Sequence, residues 1–116
     1  MGGRGMTEAQ LEKKIVQFAK SLGIYTRKFT SPGHRAVPDR IFMHGGTVLF
    51  LEIKTAGKKP TQAQLHEMAL ISSVGGLVGW VDNFTDATAF LFSLRYKLTA
   101  DLKRRCKNQQ PTNETK

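Results

Sequence analysis

The stretch from Asp39 to Lys54 constrains the fold more than any other part of this chain. Two short apolar segments, 39–44 and 47–54, flank Gly45-Gly46. A tight hairpin turn needs positive φ at both central residues, so a glycine pair between apolar runs predicts an antiparallel hairpin. Strand alternation then places Val48, Phe50, Glu52 and Lys54 on one face, and Leu49, Leu51 and Ile53 on the other. Two charged side chains thus follow two apolar ones on the same face, a pattern that is costly in a buried strand unless the charges have partners. An ordinary ion pair between Glu52 and Lys54 at a strand end would satisfy it. The hairpin adds a second acid, because closing it brings Asp39 beside, or nearly beside, Glu52. Converging carboxylates repel unless a cation lies between them, and an oxygen-only ligand set favours Mg²⁺ or Mn²⁺. Lys54 can orient a water or offset phosphate charge. Such a group around a hard cation suits phosphodiester hydrolysis.

The flanking sequence supplies the rest of an α/β domain. Residues 7–22 read as an amphipathic helix with capping-box spacing at Thr7 and Gln10, closed by Gly23. Residues 24–30 alternate as a strand, and 31–38 form a loop. Thr61 opens a second helix that runs to Gly75-Gly76, and 77–81 is a short apolar strand. Beyond Thr85, Leu91, Leu94, Leu98 and Leu102 are spaced for one long helix, with a strand at 89–94 as the alternative. A helix between the third and fourth strands implies a parallel crossover beside the antiparallel hairpin, hence a mixed sheet flanked by helices. Residues 7–107 read as one domain, 1–6 as a flexible N-terminus or expression scar, and 108–116 as a flexible tail.

Composition narrows the function. The 116 residues include 18 Lys and Arg against 9 Asp and Glu, a formal charge of +9 that favours a polyanionic partner. A single cysteine, Cys106, excludes an intrachain disulfide and any cysteine zinc cluster. No apolar run reaches the roughly 18 residues of a membrane span, and the N-terminus lacks a signal-peptide core. A cytoplasmic protein without membrane association is expected.

The segment Lys28-Phe29-Thr30-Ser31-Pro32-Gly33-His34-Arg35-Ala36-Val37-Pro38-Asp39-Arg40-Ile41, the strand Phe50-Leu51-Glu52-Ile53-Lys54 and Lys59-Pro60-Thr61-Gln62-Ala63-Gln64-Leu65 resemble the VRR-NUC branch of the PD-(D/E)xK nucleases. The similarity runs from about residue 8 to residue 88; Ala36 stands where the family usually has glycine. It implies a restriction-endonuclease-like αβββαβ core and a stand-alone phage or bacterial nuclease related to Holliday-junction resolvases. It further implies Mg²⁺- or Mn²⁺-dependent endonuclease action on branched DNA such as four-way junctions or flaps, often by a homodimer. A non-catalytic basic DNA-binding module, or a restriction-like or repair exonuclease, is the alternative.

Carried onto this chain, the resemblance assigns the metal to Asp39, Glu52, the main-chain carbonyl of Ile53 and a first-helix glutamate, with Lys54 acting on the attacking water. Glu12 is the preferred glutamate, since Ile15, Val16 and Ala19 place it at the border of the buried face; Glu8 lies in the first turn, where a carboxylate complements the helix dipole. Gln64 is carried over as a helper of water or phosphate, although a capping box with Thr61 also accounts for it. His34, Arg35, Arg40, Lys58 and Lys59 are expected to contact DNA. From Arg95 to Lys107 six basic residues face one acid, Asp101, as a DNA track or a solvated helix face. Trp80, Phe50, Phe90 and Phe92 read as core or dimer contacts.

Overall fold

A computed structural model describes residues 5–110. The elements are α1 (Glu8–Ser21), β1 (Tyr25–Lys28), β2 (Arg40–His44), β3 (Thr47–Ile53), α2 (Gln62–Ser73), β4 (Leu77–Val81), α3 (Phe84–Arg95) and α4 (Thr99–Asn108). Both capping boxes form: Thr7 and Gln10 exchange side-chain and backbone hydrogen bonds, as do Thr61 and Gln64. Gly45 and Gly46 have φ of +58° and +83°, the left-handed pair that the hairpin turn demands.

The sheet order is β1-β2-β3-β4. β1 and β3 lie antiparallel to β2, whereas β4 runs parallel to β3 after the α2 crossover. This is the mixed α/β architecture expected. Phe42, Leu49, Leu51 and Ile53 form one face of the sheet and are fully buried against Leu11, Ile15 and Ala19 of α1 and Ala87, Leu91 and Leu94 of α3. At about 25 cal/mol per Å², burial of these side chains is the main force holding the two helices to the sheet. The opposite face carries Phe50 and Glu52, and α2 reaches it through Gln64. Among the described residues no helix is long and apolar enough to cross a membrane.

Two expectations are corrected. The single long helix is two helices, α3 and α4, and 89–94 lies in α3 rather than a strand. A straight continuation would carry Leu102 about 12 Å beyond Leu94 along the axis. Instead Lys97 adopts φ +58° and the chain folds back, so Leu94 and Leu102 enter the same core while Leu98 is left exposed. The Ser93 hydroxyl donates to the Asp101 carboxylate across the break, and Arg104 and Arg105 pair with the same acid.

Residues 108–110, expected within a flexible tail, are also held in place. Asn108 ends α4, and Gln109 bonds to the outer edge of β4: its Oε1 accepts from the Trp80 N–H at 2.8 Å and its Nε2 donates to the Trp80 carbonyl at 2.8 Å. The side-chain amide thus takes the place of a neighbouring strand and blunts an edge otherwise open to pairing. Gly79 admits this contact, since a Cβ there would lie 2.8 Å from Gln109 Oε1 and 2.7 Å from the Phe90 ring. Gln109→Ala is expected to destabilise the protein by about 1–3 kcal/mol, as measured by urea unfolding, because both Trp80 backbone groups lose their partner. An unchanged midpoint would refute this role. Residues 1–4 and 111–116, within the expected flexible ends, lie outside the described residues.

Candidate active site

Pairing of Arg40 with Leu51 carries the hairpin register one step outward, so Asp39 falls opposite Glu52. Asp39 is held on both sides: its carbonyl accepts from the Phe29 N–H at 2.9 Å, and its Oδ2 accepts from the Ile53 N–H at 2.7 Å. The same register sets Pro38 opposite Ile53. The Lys54 N–H donates to the Val81 carbonyl at 2.9 Å, so by alternation the polar groups of Ile53 face β2 rather than β4. Proline has no N–H to give the Ile53 carbonyl. The Pro-Asp pair therefore captures the Ile53 N–H with a carboxylate and leaves the adjoining carbonyl without a ladder donor from Pro38.

Glu52 is only 3% exposed. Its Oε2 accepts from Gln64 Nε2 at 2.9 Å and lies 3.5 Å from Lys54 Nζ. Burial, reinforced by the charge of Asp39 and opposed by Lys54, pushes the Glu52 carboxyl up to about 7. Asp39 is also raised, by burial first and then by Glu12, against the Ile53 hydrogen bond and the charge of Lys54. Two acids share one lysine in a poorly solvated site. A hard divalent cation complements this oxygen-rich, electron-rich donor set.

Gln64 forms the capping box and also reaches the site. Its Oε1 accepts from the Thr61 N–H at 2.9 Å, and its Nε2 remains free to orient Glu52. Lys54 is half-buried beside the two acids.

Glu12 is held by two cations, although its charge reaches Asp39. Its Oε2 lies 2.8 Å from Arg40 Nη1 and 3.0 Å from Lys28 Nζ. Burial opposes ionisation, but hydrogen bonds from Arg40 and Lys28 outweigh it and hold the carboxyl below its ordinary range. Arg40 follows Asp39 in the strand and so points to the opposite face, where α1 presents Glu12. It is 12% exposed and its Nε also donates to Thr26 Oγ1, so Arg40, expected to contact DNA, is engaged as a half-buried clamp between β2, β1 and α1. Among the described residues no group of three or more His, Cys, Asp or Glu side chains is placed to hold a metal. The charge of Glu8 raises Glu52, so the first-turn glutamate is coupled to the site as well.

Of the remaining DNA-contact candidates, two share a cleft with Asp39 and two lie on the turn after β3. His34 and Arg35 are exposed on the 31–37 loop and line a cleft of about 340 Å³ that reaches Asp39. The Nδ1 of His34 is 3.2 Å from the Pro32 carbonyl, which helps order the loop. Lys58 and Lys59 are exposed on the turn after β3, whose Gly57 N–H donates to Asp82. A larger groove, about 910 Å³, lies between α3 and α4 and includes none of the converging acids. Cys106 is buried, its thiol pushed up to about 11 by burial, and serves packing rather than chemistry.

Known proteins of similar sequence and shape point one way. The chain is 38% identical over 81 residues to "Putative nuclease p44" of Acyrthosiphon pisum secondary endosymbiont phage 1, covering 69% of this chain and 87% of that protein. A solved VRR_NUC domain superposes with a TM-score of 0.69 at 26% identity, covering 75% of this chain and 97% of the domain. A second VRR_NUC domain protein, at 17% identity and TM-score 0.66, covers 78% and 89% respectively and shares the fold. No protein-family model matches the chain. With its Pro-Asp and Glu-Ile-Lys elements brought together on one hairpin, the chain belongs to the VRR-NUC nuclease family.

Proposed function

We propose that this protein is a divalent-metal-dependent DNA endonuclease that hydrolyses phosphodiester bonds in branched DNA such as four-way junctions or flaps. The observation that carries the reading is the cross-strand convergence of Asp39 and Glu52, with Lys54 beside them, at the end of a buried strand. Asp39, Glu52 and the Ile53 carbonyl would hold Mg²⁺ or Mn²⁺. A first-helix glutamate would complete the set as an outer carboxylate: Glu12, whose charge reaches Asp39 although Arg40 and Lys28 hold it, is the candidate. When bound, the cation supplies Lewis-acid polarisation of the scissile phosphate and lowers the pKa of water.

The chain's own residues perform the remaining work. Gln64 fixes the orientation of Glu52, and the Ile53 N–H fixes that of Asp39. Lys54 orients the attacking water and offsets negative charge on the phosphate. In-line attack with departure of the 3′ oxygen leaves a 5′-phosphate and a 3′-hydroxyl. His34, Arg35, Lys58 and Lys59 supply sequence-independent contacts to the backbone. The sequence offers no base-reading motif, so selectivity rests on DNA shape.

The test is a substrate panel of four-way junction, flap, nicked, linear and single-stranded DNA with Mg²⁺ or Mn²⁺. Cleavage confined to branched substrates and eliminated by excess EDTA is expected. Full cleavage in EDTA overturns the metal assignment, and equal cutting of linear duplex overturns the branched preference. Salt-sensitive binding without product under either metal would instead favour a non-catalytic DNA-binding module.

A further inference from the structure

A groove between α1 and β1, about 380 Å³, runs along the first helix on the face of the sheet opposite Asp39 and Glu52. Its walls carry Lys13, Gln17 and Lys20 from α1 and Lys28 from β1, with the Glu12–Arg40 pair at its inner end. Four cations and one carboxylate line it, and that carboxylate is already paired with Arg40 and Lys28. Lys13 and Lys20 are exposed, and among the described residues neither forms an ion pair. The neighbouring Lys14 differs, its Nζ lying 4.6 Å from the centroid of the Phe84 ring.

The spacing suits a polyanion. Lys13 and Lys20 share one face of α1 and stand about 10.5 Å apart along its axis. A strand of B-DNA rises about 3.4 Å along the duplex axis per phosphate, and its winding sets successive phosphates farther apart than that, so the two lysines are spaced to meet separate phosphates of one strand. Gln17 lies between the lysines and supplies a neutral donor. Lys28, 69% exposed, faces them from β1. At the inner end, Arg40 neighbours Asp39 at the start of β2 but on the opposite face of the sheet, so the groove and the carboxylate site meet only around that strand end.

We infer that the α1–β1 groove is a second phosphate-binding tract that holds a duplex arm of the DNA substrate as it leaves the cutting site, with Lys13 and Lys20 as its principal contacts. The inference rests on the nuclease reading for its substrate but is separable from it in experiment.

The test compares the exchange K13Q/K20Q with K103Q/K107Q, which removes equal charge from exposed positions on α4. Affinity for a 40-base-pair duplex is measured against NaCl concentration in EDTA, where no cleavage is required. The groove exchange is expected to weaken binding at least about tenfold at 0.1 M salt and to reduce the slope of log K against log salt by about two. The α4 exchange should change affinity less than about threefold, and K13R/K20R should retain binding. Equal losses from both charge-removing pairs, or no loss from the groove pair, overturns the tract. Unchanged thermal unfolding of K13Q/K20Q excludes misfolding. A wild-type protein that binds but never cuts defeats the nuclease reading alone.

Discussion

Asp39→Asn is expected to lower metal-supported cleavage by about 10³-fold or more while the fold and DNA binding persist. Asparagine keeps an oxygen to accept the Ile53 N–H but loses the charge required of a metal ligand. Asp39→Ala should be equally inactive and also less stable by about 1–3 kcal/mol, since it strands that N–H. Lys54→Ala should lose activity on a similar scale, because it removes the cation nearest Glu52 and the group assigned to the water. Cleavage is to be measured in single-turnover reactions with Mg²⁺ and Mn²⁺, and binding in EDTA. Undiminished cleavage by either Asp39→Asn or Lys54→Ala would sink the assignment.

Glu52→Gln is expected to separate activity from stability. Cleavage falls as for Asp39, yet the metal-free protein becomes more stable above neutral pH. Glu52 is raised from 4.5 to about 7 in the folded state by burial and the proximity of Asp39. A carboxyl shifted upward contributes stability that is fully present below its unfolded pKa and lost as pH rises through its folded pKa. The wild-type protein should therefore lose stability between about pH 4.5 and 7, by on the order of 3 kcal/mol when Glu52 is fully ionised. Glutamine retains an acceptor for Gln64 and removes this dependence. Calorimetry at pH 5 and pH 8 should show the melting-temperature advantage of the variant only at pH 8. Added Mn²⁺ should stabilise wild type at pH 8 and have little effect on the variant, because ligand binding to the folded state is what raises apparent stability. Equal pH dependence of the two proteins would refute the electrostatic picture of the site.

These two variants test residues that local sequence pattern already paired. Gly45-Gly46 and the alternation of residues 47–53 specified a hairpin, and a hairpin has one register once its turn and buried face are known. Asp39 opposite Glu52 follows from that register. The capping spacing of Thr61 and Gln64 was equally local, although the second bond of Gln64, to Glu52, required the crossover to set α2 above β3.

Other contacts were not legible because they join residues far apart in the chain. Periodicity set Leu98 and Leu102 on a single helix face, but the requirement that Leu94 and Leu102 fill one core folds the chain back at Lys97. The tail at 108–110 looked polar and unstructured, yet Gln109 satisfies the edge of a strand 29 residues earlier. Glu12 had the helical offsets expected of a site residue, and Arg40, 28 positions away, claims its carboxylate.

By itself, the sequence determined the hairpin, the helix caps and the pairing of Asp39 with Glu52, since turns, capping and strand register act over a few residues. Only the tertiary structure decided what each charge faces. Arg40 turns inward to Glu12, Gln64 reaches Glu52, and Lys13 and Lys20 line an open groove away from the acids. Electrostatics depends on distance in space and on burial, and neither is set until the helices dock on the sheet.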